Sequence, residues 1–441
     1  MSVTAILFCL IYFTGLIMTF RKPVYGVFTY IFEWHNHPPY FWWGDDIPDN
    51  PLGWSFTVAI ATLLSWLIHR GKQNPLEKPD LRPAIWVTLM VLNMYFVSYM
   101  HAIIPEASYS KAFEIFKVLI NFVLMISIVR DYEDYRKMVW VMIVCLGYWG
   151  WIAYNEGSNR DIGMIAPNAT EENAVSAHVV AVMPFIGMYI LTTKNRWAKL
   201  FAALTIPFLF NLIILANSRA SFLGLLVVGV FSIFLVKGRA RYAVIAGLVI
   251  GGFLFTQLTN EQFTERQTME TYDDGSATSR LHIWGGAYRM WKDHPYGVGG
   301  GGFAELSLDY IPEIDDDKTQ HNTFVAVLTD WGFIGIILYL GFLGHIFYLS
   351  FKSKRLSKKM PAFQKYSLEM TAAQLGLLGI CAAGIFHSRQ YAEIVFWLSS
   401  FVMMIYNMQK AEYERLKKET HPEAAVPATE PEIALPSPVI R

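Results

Sequence analysis

Charge is scarce in this chain. Only 16% of its 441 residues are Asp, Glu, Lys or Arg, and the formal net charge is zero. Soluble globular domains carry about 25% charged residues, so the shortage excludes an ordinary water-soluble domain. The zero balance gives nucleic acid no bulk electrostatic attraction, and no nucleic-acid partner is expected. Cysteine is scarcer still. Cys9, Cys145 and Cys381 lie far apart in apolar runs. That excludes a disulfide framework or a CxxC pair and leaves packing roles. No His/Asp/Glu cluster has metal-ligand spacing. Asp315, Asp316 and Asp317 are adjacent, so their carboxylates point different ways and read as a solvated turn. No Lys-Ser/Thr pair follows the glycine run Gly297-Val298-Gly299-Gly300-Gly301-Gly302, which excludes a P-loop. The N-terminus has no basic n-region and no small-residue cleavage site, so its apolar run reads as a retained span.

What the chain does have is apolar length. It is 54% hydrophobic and 15% aromatic, with 14 Trp and 23 Tyr, ring types that favour bilayer interfaces. A helix needs about 20 apolar residues to cross the hydrocarbon core. Runs that qualify are 3–20, 52–69, 83–104, 110–129, 137–154, 174–192, 198–216, 220–236, 240–258, 322–350, 368–386 and 391–408. The expected fold class is therefore an all-α integral membrane protein of about twelve transmembrane helices. Val24–Phe32 is too short to span alone. With Trp34, Tyr40, Trp42 and Trp43 it reads as an interfacial or re-entrant piece. The start of the fourth run is amphipathic, with Lys111, Glu114 and Lys117 at helical spacing.

The predicted organisation is 1–258 for nine spans, 259–320 for a polar insertion, 321–408 for three more spans and 409–441 for a tail. The end of the tail, rich in Pro, Ala and Glu, reads as disordered. Lys and Arg concentrate in the even-numbered short loops, from Arg70–Arg82 to Lys352–Lys365. There are nineteen there, against five in the odd ones (Arg21, Lys22, Arg160, Arg219 and Arg389). The excess predicts that even loops and both termini are cytoplasmic and that the insertion faces outward, in a bacterium the periplasm. Arg21-Lys22 disagrees with this assignment.

The outward face holds the candidates for chemistry. Ser279–Lys292 predicts a helix on which Arg280, Trp284, Tyr288 and Trp291 share a side. That side fits either a membrane-surface anchor or an anion contact. The glycine run reads as a hinge, with close backbone approach to a ligand as the alternative. Arg219 sits in the short hairpin Asn217-Ser218-Arg219-Ala220-Ser221. An arginine at membrane depth costs about 2.5–3.5 kcal/mol, unless it snorkels as an interfacial anchor. Its planar fork of donors suits phosphate. The clamp is the favoured reading, because Arg219, Arg280 and His321 are all predicted on one face. A lone histidine such as His321 is usually structural, but this one stands where an aqueous segment meets a span. Arg389 is a fourth outward cation, and Lys111, Lys117 and Arg160 are weaker ones.

Three stretches taken together resemble one family. His321-Asn322-Thr323, followed by Asp330-Trp331-Gly332-Phe333-Ile334-Gly335, resembles the His-Asn start and G-x-x-G step of the O-antigen ligase and polymerase superfamily. Asn217–Leu223 resembles its Ser-Arg motif. Ser279–Trp284 with His294-Pro295-Tyr296-Gly297-Val298-Gly299 resembles its "R…W…HP-x-G-x-G" stretch. The N-terminal half, with Phe41-Trp42-Trp43, is similar to the exosortase-associated O-glycosylation ligases.

The resemblance implies a GT-C-like membrane glycosyltransferase of the bacterial inner membrane. Its donor would be a glycan on undecaprenyl diphosphate and its acceptor a hydroxyl, on lipid A-core in the ligase case. It implies inversion at the anomeric centre with no metal or other cofactor. By position, His321 matches the catalytic histidine, and Arg219 and Arg280 match two essential arginines. Asn322, Arg289, Arg389 and Trp284 are further candidate substrate contacts. The chemistry is compatible with a neutral imidazole as base and guanidinium forks in place of a divalent cation. An O-antigen polymerase and a protein O-oligosaccharyltransferase are rival readings within the class. A secondary transporter or flippase is the rival outside it. That rival lacks an internal repeat here, and the polar candidates sit at span ends rather than at the midplane.

Overall fold

Each of the twelve apolar runs becomes one helix. The computed structural model describes residues 1–70, 78–158, 161–258, 277–312 and 319–420. The helices are α1 (Val3–Thr19), α2 (Val24–His35), α3 (Trp54–His69), α4 (Arg82–Met100), α5 (Pro105–Ile128), α6 (Tyr132–Glu156), α7 (Glu172–Thr192), α8 (Arg196–Ala216), α9 (Arg219–Leu235) and α10 (Arg239–Leu258). The insertion adds α11 (Ala277–Asp293) and α12 (Gly302–Tyr310). The bundle then closes with α13 (Thr323–Lys359), α14 (Lys365–Ala383) and α15 (Glu393–Thr420).

The protein is all-α and belongs to the membrane class; no strand occurs among the described residues. Six of the described helices are long and apolar enough to cross a membrane, and three shorter ones are also apolar. Side chains cap several starts. Asp131 accepts from the Asp134 amide at 2.9 Å and Asn195 from the Trp197 amide at 3.0 Å. α15 runs past residue 408, as far as Thr420. The tail from 421, Asp315–Asp317 and Arg160 lie outside the described residues.

The segment around residue 30 departs most from expectation. α2 is a buried helix packed inside the bundle, not a piece lying on its surface. It runs back along α1. A side chain on Gly15 would collide with Thr29 and one on Gly26 with Thr62, so both glycines let backbones touch. Phe32 stacks on Phe8 at 5.7 Å.

α3 then returns beside α1 in the same direction. The Tyr12 hydroxyl, midway along α1, donates to the Trp54 carbonyl at the start of α3 at 3.0 Å, and the Ser65 hydroxyl donates to the Thr19 carbonyl at 2.6 Å near both ends. α2 is thus an additional crossing. The Val3 and Thr420 ends therefore lie at opposite ends of the bundle, which corrects the expectation that both termini share a side. It also resolves the misfit of Arg21-Lys22. Lys22 pairs with Asp134 at 2.5 Å, at the start of α6, in the end that carries most of the cations.

A second departure concerns the glycine run. Gly297, Gly299 and Gly301 have φ of 100°, 79° and 86°, a region L side chains rarely occupy. They do not form a hinge. The segment is wedged between α13 and the α4–α5 turn. The Val298 and Gly299 amides donate to the Thr329 and Asp330 carbonyls at 2.9 Å, and the Ile103 amide donates to the Val298 carbonyl at 2.9 Å. α13 exposes those carbonyls because it kinks at Gly332 (φ 70°, ψ −171°). A Cβ there would lie 2.3 Å from the Tyr296 carbonyl carbon. The glycines thus seat the insertion on the bundle. The insertion has its own small core of Ile283, Ala287, Met290, Val298, Phe303 and Ile311.

Candidate functional site

The end of the bundle opposite Lys22 gathers most of the sequence candidates. α13 starts there. Asn322 is its N-cap, its side-chain oxygen accepting from the Phe324 and Val325 amides at 2.8 and 3.1 Å. That oxygen is committed to the backbone, which makes Asn322 first a capping residue. The cap requires a sharp entry, and His321 takes it in the left-handed region, with φ 47°. A histidine there is strained by roughly 1–2 kcal/mol. Its half-buried ring lies 3.3–3.4 Å from the Thr319 hydroxyl.

The α14–α15 loop is laced to this start. The Thr323 amide donates to the Gly384 carbonyl at 2.7 Å. The Thr323 hydroxyl donates to the His387 carbonyl at 3.0 Å and accepts from the Arg389 amide at 2.9 Å. The insertion closes the third side. The Arg280 guanidinium sits over the Phe386 ring at 5.4 Å. The Trp284 indole is 6.1 Å from the same ring and donates to the Gln320 carbonyl at 3.0 Å. Arg280, Trp284, His321 and the 384–389 loop therefore form one group.

Arg219 reaches the same end from another direction. Asn217 ends α8 with φ 47°. Ser218 then caps α9, accepting from the Ser221 amide at 3.3 Å, so Arg219 is the first residue of the helix. α9 presses against α14 closely enough that a Cβ on Gly224 would lie 2.8 Å from the Gly379 carbonyl oxygen. Arg219 is thereby held, half-buried, near the loop that carries His387 and Arg389. Arg289 is directed elsewhere. It lies nine residues beyond Arg280, about half a turn round the helix. It is exposed and donates to the Tyr310 carbonyl at 2.6 Å, within the insertion.

Beside Arg389 stand His387 and Glu171, which the sequence reading did not single out. His387 is buried, with Nε2 3.3 Å from the half-exposed Glu171 carboxylate. Burial, and then the neighbouring Arg389, His321 and Arg280, push its pKa down to about 3, so it is neutral at ordinary pH. Arg389 is 7% exposed. Its Nη1 donates to the Asn168 carbonyl at 3.1 Å, while Nε has no hydrogen-bond partner among the described residues. Burial lowers its pKa to about 10, which still leaves a cation at neutral pH. The site thus sets the Arg280 and Arg389 guanidinium groups and two imidazoles against the Glu171 carboxylate, with Arg219 at the same end of the bundle. This arrangement can hold a polyanion and leave a neutral base beside it. Among the described residues no three His, Cys, Asp or Glu side chains converge as metal ligands.

Residues 201–340 match the family described as O-antigen ligase. The match contains Arg219, Arg280 and His321 and stops before His387 and Arg389. No curated protein matches the chain.

Proposed function

We propose, on the premise that residues 201–340 are a domain of the O-antigen ligase family, that this chain is a membrane glycosyltransferase. It moves a glycan from undecaprenyl diphosphate to an acceptor hydroxyl, and the acceptor we favour is lipid A-core. The observation that carries this reading is the meeting of the His321-bearing start of α13 with Arg280 and the Arg389 loop, at the end that also holds Arg219. In the proposed step the His321 imidazole takes the acceptor proton as the hydroxyl oxygen attacks the anomeric carbon from the face opposite the phosphate. The carbon–oxygen bond to phosphate breaks and the configuration inverts. Arg219 and Arg280 take up the charge developing on the departing lipid diphosphate, a task that needs no metal. Arg389 and Trp284 line the same region as substrate contacts.

This chemistry requires the site to face the periplasm across the bacterial inner membrane. The cation-rich end, with Lys22 and Lys365, is then cytoplasmic. A cysteine at Ser2 should accordingly react with a membrane-impermeant maleimide added to spheroplasts, and one at Glu419 should react only after lysis. Protection of both positions would overturn this orientation.

The function is tested with purified protein, an undecaprenyl-diphosphate glycan and three acceptors: lipid A-core, a lipid-linked glycan and a Ser/Thr-rich polypeptide. Transfer to lipid A-core, undiminished by chelator, is expected. Transfer only to the second or third acceptor would make the protein a polymerase or a protein O-oligosaccharyltransferase. Transfer to none would sink the reading.

A further inference from the structure

Asp330 sits where the kink of α13, the glycine wedge and the His321 segment meet, and nothing in the proposed chemistry uses it. It is 4% exposed. One carboxylate oxygen accepts from the Gln320 side-chain amide at 2.9 Å, and the other from the Tyr391 hydroxyl at 3.0 Å. Tyr391 is itself fixed by the Trp331 indole, which donates to its hydroxyl at 3.0 Å. The Asp330 carbonyl receives the Gly299 amide. Gln320 is equally buried. Its side-chain amide also donates to the Thr329 hydroxyl at 2.9 Å, and its backbone carbonyl accepts from the Trp284 indole.

Gln320 is the residue before His321. Everything that fixes Gln320 therefore fixes the peptide plane from which His321 enters its left-handed conformation. Downstream, the Asn322 cap and the Thr323 contacts hold the other side. Without the grip on Gln320, His321 has no reason to keep a strained φ, because extended backbone is lower in energy. The ring would then point elsewhere.

We propose that Asp330 is a positioning residue, which through Gln320 holds His321 in its left-handed conformation and so aims the imidazole at the acceptor. This rests on the reading of His321 as base. A carboxylate suits the task because its two oxygens can accept from two donors at once, which ties the His321 segment to Tyr391 in the α14–α15 loop.

Asp330→Ala and Gln320→Leu cut the same link from its two sides. Each should lower kcat about 10- to 100-fold, the range for a misplaced catalytic group, with KM for the lipid-linked donor unchanged. Asp330→Asn keeps an oxygen for Gln320 and should restore most of kcat. Adding Asp330→Ala to His321→Asn should cost nothing further, because a positioning residue has nothing left to position. If Asp330→Ala fails to fold, Gln320→Leu still decides. Wild-type kcat in Gln320→Leu would overturn the proposal. So would an Asp330→Asn protein as slow as Asp330→Ala, or an additive loss in the double variant. An active His321→Asn protein would instead refute the base assignment itself.

Discussion

Replacing His321 with asparagine is expected to lower glycan transfer about 100- to 10,000-fold, the contribution of a general base. Asparagine is the more informative replacement, because it tolerates the left-handed backbone that His321 adopts at φ 47°. Alanine would remove the ring and also favour a different backbone, so its effect would mix two causes. Neither replacement touches the cap of α13, which belongs to Asn322. Insertion and yield should therefore persist. The measurement is single-turnover transfer with saturating donor, after normalising for monodisperse protein. Near-normal transfer by His321→Asn would remove the residue from the chemistry. Attention would then shift to His387, the other imidazole of the site, held neutral beside Glu171.

The second large effect is expected from lysine at Arg219 and Arg280. Lysine keeps the charge and loses the fork of donors. If the arginines hold the lipid diphosphate as charge develops, each lysine variant should lower kcat/KM about 100-fold, as removal of one preorganised donor does. Little else should change. Lysine can sit over the Phe386 ring much as Arg280 does at 5.4 Å. At position 219 the side chain occupies the first turn of α9, where arginine and lysine are equally ill-suited to the helix dipole. A loss of stability is therefore not expected to masquerade as a loss of function. Lysine variants as active as the parent would leave these residues as interfacial anchors.

The sequence made the apolar helices legible because bilayer thickness sets their length, and composition alone places them. It misled at α2. Twelve residues with a polar tail fall short of a span, and nothing local reveals that Gly15, Gly26 and Thr62 let the helix nest between neighbours. The orientation count carried a clue. Arg21-Lys22 disagreed, and the disagreement marked the uncounted crossing. In the site, Arg219, Arg280 and His321 were visible because cations and a titratable ring are rare on a cation-poor face. Trp284 was visible beside Arg280 through helical spacing. Arg289 has the same chemistry but lies on the wrong side of its helix. Glu171, Asn168 and Gln320 carried no signal, since their roles arise from contacts between residues far apart in the chain. His387 did carry one, two positions from Arg389 in a short outward loop. The glycine run was read as freedom, whereas its positive φ values serve close packing.

The burial of α2 has a consequence for how the protein is made. At about 1.5 Å per residue, its twelve residues cover about 18 Å, well short of a hydrocarbon core of about 30 Å. A nascent chain cannot commit such a segment to lipid unaided. Its walls come from α1, α3, α5, α6 and finally α15, where Trp34 meets Trp397 at 5.0 Å and Tyr30 meets Glu393 at 2.8 Å. The second helix to leave the ribosome therefore meets α1 and α3 early but is not enclosed on every side until the last helix is in place. Until then, α1 and α3 keep their shared direction through their own contacts, the Tyr12–Trp54 and Ser65–Thr19 hydrogen bonds.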